Sequence, residues 1–306
     1  MSDQAMYKAR MQEIKSLIAQ YVNKEALPAA YNDLALKWYT PLCKSLSLHH
    51  DKAKHGTMFI GINGCQGSGK STLSGLLSYL LTTYFKKSSI VISLDDFYLT
   101  RTQRLNLASK VHPLLETRGV PGTHDTELMQ KVLEALKLGQ SIQIPTFNKA
   151  IDDRNEIYDW QAVNGPIDII IVEGWCWGTM PQNEGDLAPD VNDLEKNHDT
   201  DRAWRSYVNK QLAINYVPLY SFIHKWVFLR APSFEHVYKW RCEQEHKLKS
   251  SAKDTSNVMS DEEVLTFIQY YQRLTMHTLC TLDARSDWVF ELDNDRGIIT
   301  SSQNEQ

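Results

Sequence analysis

Long apolar runs, cationic tracts and paired cysteines are all missing from this 306-residue chain, and each absence removes a class of function. Although 42% of its residues are hydrophobic, none gather into the roughly 20-residue stretch that spans a bilayer. The first thirty residues interleave Asp3, Lys8, Arg10, Glu13 and Lys15 with apolar positions, so the unbroken apolar centre of a secretory signal is missing as well. A protein that stays in solution, away from membranes, is expected. The formal charge of -4 and the pI near 6.2 come with no basic tail of the kind that neutralises a nucleic-acid backbone, which removes nucleic acid as a primary partner. The five cysteines, at 43, 65, 176, 242 and 280, form no C-x-x-C pair, and the ten histidines form no H-E-x-x-H. Neither a zinc site nor a disulfide framework is expected, and a reducing cytoplasm is the compartment that fits.

What remains is a chain long enough for one large α/β domain with additions. Residues 6 to 25 read as an amphipathic helix, because Ile14, Leu17, Ile18 and Tyr21 recur at helical spacing before Pro28 interrupts them. Five short apolar runs follow, at residues 58–62, 90–92, 169–172, 226–229 and 288–290. Runs of this kind, separated by helical pattern, imply a mostly parallel sheet of five strands. Helices are predicted over 70–84, 126–138 (closed by Gly139), 201–216, 234–249 and 261–282, the last with Val264, Ile268, Tyr271 and Leu274 on one face. The segment from Gly178 to Thr200, rich in acidic and amide residues, reads as an excursion from the sheet, and 249–259 as a polar, mobile loop. No internal repeat or low-complexity tract points to a scaffold.

Gly64-Cys65-Gln66-Gly67-Ser68-Gly69-Lys70-Ser71 fits G-x-x-x-x-G-K-[ST] between a strand and a helix, the context in which such a match describes a phosphate-binding loop. Its glycines let backbone N–H groups curl around phosphates, Lys70 adds a cation at the β/γ oxygens, and Ser71 can ligate Mg²⁺. With Thr72 these residues form the expected ATP site. Asp95 and Asp96 follow the second apolar run and so fall at the carboxyl edge of the sheet, where α/β proteins bind ligands. A carboxylate there can orient an acceptor hydroxyl and take its proton; the alternative is capping of the local loop. Glu173 ends the third run, placed to hold Mg²⁺ directly or through water. Cys65 lies near a helix N-terminus, a setting that can lower a thiol pKa and invite oxidation, but the reading adopted is a tolerated variable position.

With these motifs in place the chain resembles the phosphoribulokinase and uridine kinase superfamily, and within it the plant-type D-glycerate 3-kinases and their microbial relatives. The resemblance rests on Gly64 to Ser71, Ser93 to Tyr98, Arg118-Gly119-Val120-Pro121-Gly122-Thr123-His124-Asp125, Glu173-Gly174-Trp175, Trp240-Arg241 and Met259 to Val264. It implies that Asp95 is the general base, with Asp96 a weaker candidate, and that Arg118, His124 and Asp125 lie near the acceptor; Asp96 and Tyr98 are counted as substrate contacts as well. A small anionic acid would use the guanidinium of Arg118. Asp125 also immediately precedes a helix, where it could serve as N-cap. Lys149 and Arg154 lie in a segment similar to the family's P-x-F-D-K and downstream D-R, and contact substrate or simply form a solvated loop. Asn148 departs from that pattern by offering an amide where the family has a carboxylate. The resemblance also implies a lid in which Arg241, on the helix predicted over 234–249, brings a cation to the transferring phosphoryl group; the alternative is a solvated helix face.

The expectation is therefore a three-layer α/β P-loop NTPase fold with a five-stranded parallel sheet, a helical extension over 1–50 and a kinase domain over 51–306 with substrate and lid insertions. The expected reaction is ATP-dependent phosphorylation of D-glycerate to 3-phosphoglycerate, with Lys70, Asp95 and Arg241 catalytic. Two alternatives stay open: another small hydroxyl acceptor, such as a nucleoside or a pantothenate-like molecule, and a nucleotide-binding regulator without phosphoryl transfer.

Overall fold

The computed structural model describes residues 3–53, 56–251 and 259–304. Its strands are β1 (Met58–Gly64), β2 (Ser89–Ser93), β3 (Ile142–Ile144), β4 (Phe147–Asn148), β5 (Asp153–Arg154), β6 (Gln161–Val163), β7 (Ile169–Gly174), β8 (Lys225–Arg230), β9 (Trp288–Leu292) and β10 (Ile298–Gln303). Six of them form one sheet in the order β10-β9-β8-β1-β7-β2. Every residue of β1 and of β7 is buried, which is why these strands read as unbroken apolar runs rather than alternating ones.

All five strands expected from the sequence lie in parallel in this sheet. The count needs correction, however, because β10 adds a sixth strand antiparallel to β9. Its Thr300-Ser301-Ser302-Gln303 stretch is exposed and pairs on one side only, so it carries no apolar signal. Two small antiparallel pairs, β3 with β6 and β4 with β5, build an insertion between the helix Thr126–Lys137 and β7.

The strand register fixes the site. Glu173 on β7 lies opposite Ile62 on β1 and opposite Ser93 on β2, so the exits of three strands meet at one edge. The helix Lys70–Thr83 leaves that edge and packs along β1, β2 and β7. Its first turn has no side-chain cap, since Gly69 stands at the N-cap position, and the uncapped amides remain available to an anion. Packing holds the helix instead: Leu73, Leu76, Leu77, Leu80 and Leu81 are fully buried, each contributing up to about 1.5–3 kcal/mol.

The N-terminal helix Asp3–Lys24 buries Ile14, Ile18, Tyr21 and Val22 in the core shared with the sheet. Tyr21 Oη donates to the carbonyl of Thr72 at 3.1 Å, in the helical turn directly after the phosphate loop. The helix predicted over 201–216 starts at Ala203, after Arg202 at φ +63°, and widens into a π-turn from Leu212 to Tyr216. Helices Phe234–Ser251 and Asp261–Thr281 flank residues 252–258, so most of the predicted loop at 249–259 lies outside the described residues.

The 178–200 excursion is held by charge as well as by the buried Leu187 and Leu194. Arg205, with no solvent exposure, donates to Asp199 Oδ2 at 2.7 Å and to Asp190 Oδ1 at 2.7 Å. Arg273 grips both oxygens of the buried Glu195 at 2.7 and 2.6 Å. Buried guanidinium groups persist only when carboxylates and carbonyls satisfy them, as here.

Candidate active site

Gly67 and Gly69 take φ +77° and +89°, values that L-residues rarely adopt, and so let the loop turn its amides towards a phosphate. At Gly67 space is also limiting, because an added Cβ would stand 2.7 Å from Trp240 Cβ. Asn63, buried just before the loop, donates through Nδ2 to the carbonyls of Trp175 and Trp177 at 3.2 and 2.8 Å, locking the end of β1 to the turn after β7. Cys65 is buried, and burial pushes its thiol up to about 12, which favours a tolerated variable position over a reactive thiolate.

Ser71 Oγ donates to Glu173 Oε1 at 2.8 Å. Glu173 is 4% exposed, and its second oxygen, Oε2, has no protein partner. A buried carboxylate oxygen left unpaired is costly. A hard divalent cation between this oxygen and a phosphate would satisfy it, so the residues present fit Mg²⁺.

Asp95 and Asp96 are adjacent but live in different environments. Burial alone would raise Asp95, but Lys149 and Lys70 outweigh it and hold the carboxyl at about 2. Lys149 Nζ donates to Oδ2 at 2.7 Å and Tyr98 Oη to Oδ1 at 3.0 Å. Asp96 is raised to about 6 by burial, and its Oδ1 accepts the N–H of Phe147 at 3.1 Å, bracing the insertion against the end of β2. Neighbouring carboxyl groups driven apart in this way are a recurrent sign of divided roles.

The segment Arg118 to Asp125 pairs with residues 97–99: Asp125 N donates to Phe97 O at 2.7 Å, and Leu99 N to Thr123 O at 2.9 Å. This brings the His124 ring onto Tyr98, with centroids 4.4 Å apart. His124 Nδ1 lies 2.6 Å from Tyr216 Oη, while Nε2 is buried without a partner. Burial lowers the imidazole to about 3, so it is neutral at physiological pH. Asp125 caps the helix Thr126–Lys137, its Oδ1 accepting from Leu128 N at 3.0 Å, and its Oδ2 pairs with Arg154 at 3.1 Å.

The remaining candidates are already engaged. Arg118 pairs with Asp152, which also binds the buried Arg104 at 2.9 Å. Arg154 donates to the Tyr98 carbonyl at 2.8 Å. Asn148 Oδ1 accepts from Ala150 N at 3.0 Å, closing the turn that carries Lys149. Arg241 is taken up by Glu245 and by the face of Phe267. Asp95, Tyr98, His124 and Lys149 thus form one cluster and Ser71 with Glu173 a pair at the phosphate loop, whereas Arg241 is held between Glu245 of its own helix and Phe267 of the next. An open cavity of about 630 Å³ lies at Thr117, Phe267 and Tyr270, beside Arg118 rather than over the loop. Sequence reasoning missed Asn63, Tyr216 and Glu245, none of which belongs to a local motif, and gave Asp152, beside the D-R pair, no role as the partner of Arg118.

An uncapped helix behind a glycine loop, with a lysine, a serine–carboxylate pair and an ionised aspartate at one sheet edge, defines an ATP-dependent P-loop kinase. The phosphoribulokinase/uridine kinase family model matches residues 59–179. The uncharacterized kinase mug58 of Schizosaccharomyces pombe is 36% identical, over 73% of this chain and 81% of its own. A chloroplastic D-glycerate 3-kinase of Arabidopsis thaliana is also 36% identical, over 74% of this chain and 49% of its own. Among solved structures, a D-glycerate 3-kinase from Cryptococcus neoformans superposes with a TM-score of 0.72 at 27% identity, covering 86% of this chain and 96% of that one. The chain belongs to the phosphoribulokinase/uridine kinase family. No helix among the described residues is long and apolar enough to cross a membrane.

Proposed function

We propose that the protein transfers the γ-phosphoryl group of ATP to D-glycerate, releasing 3-phosphoglycerate and ADP. The observation that carries this reading is Asp95, an ionised carboxylate at the edge of the phosphate loop, beside Tyr98 and Lys149. The choice of acceptor is supported by the Arg118–Asp125 string and by the D-glycerate 3-kinases among the relatives.

In this reading Lys70 and the loop amides hold the β- and γ-phosphates, and Arg118 with Arg154 receives the acceptor's carboxylate. Ser71 and Glu173 would hold Mg²⁺, which would supply neutralisation of the phosphate charge. Asp95 orients the acceptor O–H. The acceptor oxygen bonds to the γ-phosphorus as the bond to the β–γ bridging oxygen breaks, and that electron pair leaves with ADP. A carboxyl held near 2 is too weak a base to ionise an alcohol beforehand. Its proton transfer belongs late in the step, when the attacking oxygen has become acidic, which suits a loose transition state. Arg241, once released from Glu245, adds a cation to the transferring group.

Asn148 favours a second reading in which the same machinery serves another small hydroxyl compound, because its amide brings no anion to the acceptor side. ADP release measured across glycerate, other hydroxy acids, nucleosides and pantothenate, with Asp95→Ala as control, separates the two. Turnover with a nucleoside alone would replace glycerate and keep the mechanism. No acceptor-dependent ADP release at all would leave only the nucleotide-binding regulator. We place the protein in the cytoplasm, where its five free cysteines would stay reduced.

A further inference from the structure

The antiparallel strand β10 begins just after a turn, Asp293–Gly297, that is set against the phosphate loop. Asp293 builds this turn: its N–H donates to the Gly297 carbonyl at 2.8 Å, and its Oδ1 accepts from Asp295 N at 2.8 Å and Gly297 N at 2.7 Å. Arg296 at the tip takes φ +68°. That conformation is strained for a residue with a Cβ, and it persists where the surroundings over-determine it.

The surroundings are three. Arg296 Nε donates to the carbonyl of Gly67 at 2.8 Å, inside the phosphate loop. A second guanidinium nitrogen pairs with Glu243 on the helix Phe234–Ser251. The guanidinium also lies 5.3 Å from the ring centroid of Trp240 on that helix. Trp240 is fully buried, donates its indole N–H to the Asn294 carbonyl at 2.7 Å, and fills the space beside Gly67. One side chain therefore joins the phosphate loop, the helix that carries Arg241, and the C-terminal turn.

We propose that Arg296 is a positioning residue of the nucleotide site. A loop that aims its amides at a phosphate must turn carbonyls the other way, and each outward carbonyl needs a donor. Arg296 supplies a charge-assisted donor to Gly67, and its planar fork spans to Glu243 at the same time in a fixed geometry that a lysine lacks. Nucleotide affinity is thereby coupled to the position of the helix Phe234–Ser251. The inference holds whichever hydroxyl compound is the acceptor.

Arg296→Gly tests it, because glycine accepts the left-handed backbone while removing the guanidinium. With no acceptor present, the ATP dissociation constant should rise about tenfold in Arg296→Gly and be only partly recovered in Arg296→Lys. At saturating ATP the acceptor KM should stay within about twofold, because the lost contacts are all on the nucleotide side. The rise in Tm that ATP produces should shrink by the same loss of affinity. An ATP dissociation constant within about twofold of the parent's would overturn the proposal, as would an equal rise in the acceptor KM. A lower Tm without nucleotide, with the ATP-induced rise intact, would show Arg296 to be a strut only. Should Arg296→Gly not fold, Glu243→Gln loosens the same guanidinium from the other side. It must then weaken ATP in the same direction, and unchanged affinity there overturns the proposal as well.

Discussion

Replacing Asp95 by Asn isolates the charge that the proposed mechanism needs. The amide is close to the carboxylate in shape, and its oxygen can still accept from Tyr98 Oη, now at 3.0 Å. What is lost is the anion that meets the acceptor hydroxyl and the partner of Lys149 at 2.7 Å. Lys149 is 61% exposed, so that ion pair contributes no more than about 0–1 kcal/mol to stability. Tm should move by a few degrees at most, roughly. A positioned general base contributes about 10²–10⁴-fold to rate, or roughly 3–5 kcal/mol in the barrier. ATP affinity should hold or improve, because a negative charge near the phosphates is gone while Lys70 and Lys149 remain. The assay is kcat with D-glycerate set beside the ATP dissociation constant measured without acceptor. A kcat within about tenfold of the parent's, against the range expected for a base, would refute the role of Asp95. A loss of ATP affinity equal to the loss of rate would refute it too, since the residue would then act in binding.

Glu173→Gln keeps an oxygen for Ser71 but removes the charge that suits Mg²⁺, so the magnesium concentration for half-maximal rate should rise about 10–100-fold; an unchanged magnesium requirement would exclude the Ser71–Glu173 pair as its holder. Asp199→Ala takes from the fully buried Arg205 one of its two carboxylate partners at 2.7 Å and should cost about 2–3 kcal/mol, read as a lower urea midpoint at constant m; a cost under about 1 kcal/mol would mean the network is not rigid. His124 is held at about 3 by burial, against an ordinary 6.5. The unfolded chain therefore protonates first as pH falls, and this contribution to stability is complete above 6.5 and is lost progressively towards 3. Asp96, raised to about 6 from 3.8, acts in the opposite sense: its contribution is present below 3.8 and lost as pH rises through 6. His124→Gln should thus flatten the loss of Tm between about pH 6 and 4, and parallel curves for parent and variant would show that His124 does not drive it.

Features that depend on neighbouring residues could be read from the chain itself. The phosphate loop is legible because its glycines, lysine and serine act through adjacent backbone, and the five parallel strands because burial on both faces demands unbroken apolar runs. Asp125 shows where local reading left two answers: the N-cap geometry is present, and the same carboxylate also meets Arg154 from 29 residues away. β10 escaped because an exposed edge strand needs no apolar pattern. Lys149 and Arg118 were identified by type, but not their partners, since Asp95 and Asp152 reach them only through the folded insertion. The sequence by itself thus determined the five parallel strands, the phosphate loop and the chemical types at the site. Tertiary structure alone decided which charges face one another, which carboxyl stays ionised and that Arg296 reaches Gly67 across 229 residues, because pairing and burial are set by the distances that folding creates and not by spacing along the chain.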